Sequence, residues 1–84
     1  MLDIQKLKQL IIKESGLIFD PEVGHIFTTN HIGLDIISNL ISSKSNEEIK
    51  EFLTTQYEIN GNNIDKDLFD FIYQLTSYGW IKNI

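Results

Sequence analysis

The sequence predicts an α+β fold: an N-terminal two- to three-stranded antiparallel sheet followed by three helices. Three observations carry this. Short apolar runs separated by turn residues fill the first third, apolar residues at helical spacing fill the remainder, and capping residues mark helix starts. With 84 residues, 42% hydrophobic and 23% charged, residues 1–84 have the length and balance of one globular domain.

In chain order, Asp3 can cap a short helical turn through Lys8, whereas Leu10-Ile11-Ile12-Lys13 is apolar and β-branched and suits a strand. Segment 3–13 is thus open between helix and strand. Ser15-Gly16 reads as a tight turn, and Leu17-Ile18-Phe19 and Ile26-Phe27-Thr28-Thr29 as strands. Between them, Asp20-Pro21-Glu22-Val23-Gly24 has the chemistry of a hairpin loop. Proline presets φ, the aspartate accepts backbone bonds and Gly24 can adopt positive φ.

Asn30 is placed to cap a helix running to about Ser42, with Ile32, Ile36, Ile37, Leu40 and Ile41 at helical spacing. Ser45-Asn46-Glu47-Glu48 is a capping box for a second helix to about Tyr57, with Ile49, Phe52 and Leu53 inward. Asn60-Gly61-Asn62-Asn63 reads as a loop, with Asn63 as cap of a third helix. That helix carries Ile64, Leu68, Phe71, Ile72 and Leu75 on one stripe, and Gly79 is placed to end it, ahead of Trp80-Ile81. This element order is winged-helix-like.

Composition excludes several functions. Without cysteine there is neither a disulfide nor a thiolate metal site. The N-terminus lacks the pattern of a signal peptide, and no apolar stretch approaches the ~20 residues that span a membrane. Together these point to the cytoplasm. Twelve acids oppose seven bases, all lysine, for a net charge of −5. That balance disfavours nucleic acid and anionic membrane as partners. In a winged-helix nucleic-acid binder the third helix would be basic, but here Asp65, Asp67 and Asp70 oppose one Lys66.

No catalytic residue, metal site or cofactor site emerges. The histidines, His25 and His31, would need a third metal ligand, and Asp35 is the one tidy candidate; surface or half-buried histidines are the better reading. The serines fit turns, caps and helix surfaces, and the scattered glycines form no phosphate loop. Gly33, in the first turn of the first helix, reads as close packing against the hairpin in preference to close approach of a partner. On the third helix a second row, Phe69, Tyr73 and Thr76, lies beside the core stripe. It either closes the bottom of the core or lines an exposed groove.

The chain resembles the PqqD-like family of small peptide chaperones, the recognition elements for leaders of ribosomally made, modified peptides. The pattern is Thr29-Asn30-His31-Ile32-Gly33 with Ile36, then Glu47-Glu48-Ile49 with Leu53 and Tyr57, then Asp67, Phe71-Ile72, Leu75 and Gly79. Leu7, Leu10 and Ser15-Gly16-Leu17-Ile18-Phe19-Asp20-Pro21 with Gly24 are similar to the branch associated with HPr kinase-related proteins. Leu17, Thr29 and Ile32 depart from that branch, which tends to phenylalanine, leucine and a small residue there.

The resemblance implies a three-stranded sheet, three helices, no enzymatic activity and no cofactor. It implies as partners a precursor or leader peptide and a modifying enzyme or HPr kinase-related protein. The peptide would add as a strand to the free edge of the last strand, here His25, Ile26, Phe27, Thr28 and Thr29. The helix wall would be Phe69, Ile72, Tyr73 and Thr76, with Lys66 meeting an acidic peptide residue. Asp67 matches a family position, although near a helix start it can simply favour the dipole or hold the hairpin. An exposed edge can also pair with a second copy into a homodimer. The alternatives are a winged-helix nucleic-acid binder and a purely structural docking subunit.

Overall fold

A computed structural model describes residues 2–57 and 61–83. The chain runs β1 (Leu2–Asp3), α1 (Gln5–Lys8), β2 (Ile11–Ile12), β3 (Leu17–Asp20), β4 (His25–Thr28), α2 (His31–Ile41), α3 (Asn46–Tyr57), α4 (Gly61–Ser77) and β5 (Lys82–Asn83). The architecture is the expected α+β one: β2, β3 and β4 form an antiparallel sheet in that order, and three long helices follow. Segment 3–13 contains both alternatives, a helical turn and a short strand. A second, two-stranded sheet was not expected: Leu2 pairs with Asn83 and Asp3 with Lys82.

Most boundaries follow local chemistry. The Asp3 carboxylate accepts the Gln5 N–H at 3.0 Å. The hairpin loop closes with Gly24 N–H on the Asp20 carbonyl at 2.8 Å, Gly24 having φ 73°. Asn30 Oδ1 accepts the Gly33 N–H at 2.9 Å, and Ser45 and Glu48 exchange bonds at 3.0 and 3.1 Å as a capping box. α4 ends as expected at Gly79, φ 79°. Trp80 N–H reaches the Leu75 carbonyl and Gly79 N–H that of Thr76.

α4 departs from the expected Asn63 cap. The helix begins at Gly61 and takes in Asn62 and Asn63; Asn60 lies outside the described residues. Packing overrides the weak helix preference of this stretch: Ile64 is buried, and Asp65 pairs with Lys50 of α3 at 2.8 Å.

The core gathers Leu7, Ile18, Ile36, Ile37, Leu40, Ile49, Leu53, Ile64, Leu68, Leu75, Trp80 and Ile81 from the sheet, helices and C-terminal segment. Each such fully buried side chain contributes roughly 1.5–3 kcal/mol. Among the described residues one charged side chain joins them. Asp20 accepts from Lys6 Nζ at 2.9 Å, the Trp80 indole N–H at 3.1 Å and the Glu22 N–H at 3.1 Å. The Lys6 ammonium, with the indole and amide donors, holds the Asp20 carboxyl below its ordinary 3.8.

A depressed carboxyl pKa stabilises the fold above the unfolded value, and that contribution is lost as pH falls through the folded one. Thermal melts from about pH 5 to about pH 2 should therefore show a steeper loss of Tm in the wild type than in Asp20→Asn. At neutral pH the variant should be the less stable of the two.

α2 ends like α4, but with Ser43 at φ 61° where α4 has glycine; Lys44 N–H bonds the Asn39 carbonyl and Ser43 N–H that of Leu40. A left-handed non-glycine residue costs roughly 1–2 kcal/mol, partly offset by the greater freedom of glycine in the unfolded chain. Ser43→Gly should raise stability by up to about 1 kcal/mol in denaturant titration.

Candidate functional site

The outer edge of β4 follows from the ladder. Lys13 N–H bonds the Leu17 carbonyl at 2.8 Å and Thr29 N–H the Gly16 carbonyl at 2.9 Å. Antiparallel bonding alternates along each strand. On β3, Leu17 and Phe19 therefore turn their backbone groups to β2, and Ile18 and Asp20 turn theirs to β4. With Ile18 opposite Phe27 and Asp20 opposite His25, Ile26 and Thr28 are left pointing their N–H and C=O groups outward. Among the described residues no strand pairs with that edge.

Beside the edge lies an aromatic wall. Phe27 meets Trp80 edge-on at 4.7 Å and Tyr78 at 5.0 Å, and Tyr78 meets Trp80 at 4.9 Å. Trp80 is buried, Phe27 half-buried and Tyr78 46% exposed, so part of Tyr78 stays accessible beside the strand. Seven residues before Tyr78, Phe71 packs where β4 leads into α2: its ring reaches 3.2 Å from the position a Gly33 Cβ would take. Helical residues advance about 100° each, so Asp67 and Gln74 share the flank of Phe71 and Tyr78.

The expected helix wall divides differently. Phe69 and Ile72 border a depression between α3 and α4, together with Lys50 and Asp65. Tyr73 and Phe69 are 68% and 69% exposed, and Thr76 is exposed with its hydroxyl on the Ile72 carbonyl. Lys66 points away from the core and meets Asp70 at 3.3 Å. The structure thus brings Phe27 together with Tyr78 and the Thr29 end of β4 together with Phe71, and places Lys66, Phe69, Ile72, Tyr73 and Thr76 on the α3 and solvent sides of α4. Burial of Ile64, Leu68 and Leu75 sets that rotation, and Lys50 meets Asp65 on the α3 side.

Sequence reasoning missed Tyr78 and assigned Phe71 to the core stripe alone. Their seven-residue spacing was the available signal. The suggested metal ligands do not assemble: His25 and His31 are exposed, and Asp35 accepts the Tyr57 hydroxyl, which raises the Tyr57 pKa above its usual value. Among the described residues no group of three His, Asp or Glu is placed to hold a metal ion. None of the described helices is long and apolar enough to cross a membrane.

Gly33 reads as packing. A Cβ there would collide with Thr29 Oγ1 and lie 3.1 Å from Thr29 Cβ. Gly33→Ala should destabilise the protein by about 1–3 kcal/mol through overpacking, although alanine is the better helix former. The loss should shrink in a Thr29→Ala background, measured by denaturant titration.

Comparison with known proteins adds three findings. Residues 16–81 match the family described as coenzyme PQQ synthesis protein D (PqqD). A solved structure described as lasso peptide synthetase B1 complexed with the leader peptide superposes with a TM-score of 0.76, at 20% identity and covering 88% of each chain. No curated protein matches the chain significantly.

Proposed function

The chain belongs to the PqqD family, and on that premise we propose that it is a non-catalytic peptide-binding domain presenting a ribosomally made leader peptide to a modifying enzyme. The observation that carries this is the outward-facing backbone of Ile26 and Thr28 beside Phe27, Phe71 and Tyr78. An extended peptide adding there satisfies its amides on β4 and drops alternate side chains against the aromatic wall. The fold shared with a protein solved with its leader peptide supports the same reading.

Asp67, on the wall's flank, favours a basic side chain in the peptide. Lys66 contributes less, because Asp70 engages it. The acidic surface of α4 weighs against the nucleic-acid alternative. Residues 1–84 act as one peptide-binding domain in the cytoplasm, and the N-terminal resemblance makes an HPr kinase-related protein the favoured partner. A homodimer through β4 is the competing use of the edge.

Docking to the partner enzyme is a second role, favoured by the exposure of Phe69 and Tyr73 away from the peptide edge. Both are tested by titrating isotope-labelled protein with leader-like peptides encoded beside its gene. The amides of Ile26, Thr28, Phe71 and Tyr78 should shift together, and Tyr78→Ala should weaken binding about tenfold, as for a well-packed aromatic contact. Tyr73→Ala should leave peptide affinity intact and impair co-purification with the enzyme. Shifts confined to Phe69 and Tyr73 would refute the edge assignment.

A further inference from the structure

The face of the β2–β3–β4 sheet turned away from the helices carries an apolar row that the aromatic wall does not explain. Ile11 lies directly across from Phe19, and Phe19 directly across from Ile26. Ile11 is 46% and Ile26 67% exposed, with Phe19 half-buried between them. Single exposed apolar residues are ordinary. Here three stand in register on adjacent strands, and the row ends at the open edge. The neighbouring row is mixed: Leu17 lies across from Thr28.

Resting on the strand-addition reading above, we propose that the peptide accepted by β4 carries a large apolar side chain opposite Ile26, on the face away from the aromatic wall. Ile26 directs both backbone groups outward, so the residue opposite it lies on the same face of the pleat. In a ladder its Cβ comes about 4.5–5.5 Å from that of Ile26. An isoleucine, valine or aromatic residue there extends the row Ile11–Phe19–Ile26 by one member and covers the most exposed of the three. The adjoining peptide residue turns inward, beside Phe27 and Tyr78. The next turns outward again, opposite Thr28, where a threonine or other polar residue fits.

The ligand is therefore a peptide with adjacent apolar residues, filling both faces of the added strand, next to a polar one. It is not a strand with one apolar face. The row is narrow and stops at β4, which favours a single added strand over a broad protein surface.

The test uses fluorescein-labelled nonapeptides of extended, β-branched sequence, in which the residues opposite Ile26 and Thr28 vary independently between isoleucine and serine. Amide shifts of Ile26 and Thr28 fix the register. Exchanging isoleucine for serine opposite Ile26 should weaken binding about fivefold or more, and the same exchange opposite Thr28 less than about twofold. In Ile26→Thr the first preference should fall below about twofold, whereas Ile11→Thr, two strands from the edge, should preserve it.

If Ile26 and Thr28 shift but the exchange opposite Ile26 costs less than about twofold, this inference fails and strand addition stands. If no peptide shifts those amides, strand addition itself fails. A dimer in peptide-free solution that Ile26→Lys dissociates would make a second copy the occupant and overturn the proposal.

Discussion

Asp20 joins three parts of the chain that are far apart in sequence. Its carboxylate, at the end of β3, receives the ammonium of Lys6 from α1, the amide of Glu22 in the hairpin loop and the indole of Trp80 beyond α4. A carboxylate removed from water is costly unless donors surround it, and these donors do so. Lys6 is held in turn by Glu22 at 2.6 Å, and the two acids keep its pKa raised. With Asp20 fixed, Trp80 is fixed, and with Trp80 the rings of Phe27 and Tyr78 that flank the edge strand. The candidate site thus rests on a polar contact between residues 60 positions apart.

That separation explains what could and could not be read beforehand. The Asn30 cap, the Ser45–Glu48 box, the Asp20–Gly24 loop and the Gly79 terminus are each decided within five or fewer residues, and all are legible in the sequence. The pairing of Leu2 with Asn83 is not, because two-residue strands have no periodicity and their partner is at the other end of the chain. Nor is the role of Asp20, which reads as a turn residue until Trp80 arrives.

The rotation of α4 is the instructive middle case. Its apolar stripe was evident, and so was the surplus of large side chains beside it. Which flank would face the sheet depended on the position of α3, whose Ile49 and Leu53 share the core with Ile64, Leu68 and Leu75, a tertiary arrangement that periodicity does not reveal. Phe69 and Tyr73, the more conspicuous residues, lie away from the strand. Tyr78 lies against Phe27 of the strand, and Phe71 reaches the start of α2, where Gly33 leaves room for its ring.

The brevity of β4 has its own consequence. A four-residue edge strand directs only Ile26 and Thr28 outward, so its backbone can engage a visitor at no more than two residues. Long, flat, open edges are templates for runaway strand stacking, and short ones are a recognised safeguard. This edge is long enough to hold one peptide in register and too short to propagate a ladder. Discrimination then falls to the side chains on either face, and the protein can keep an open edge in a crowded solution without becoming a seed for aggregation.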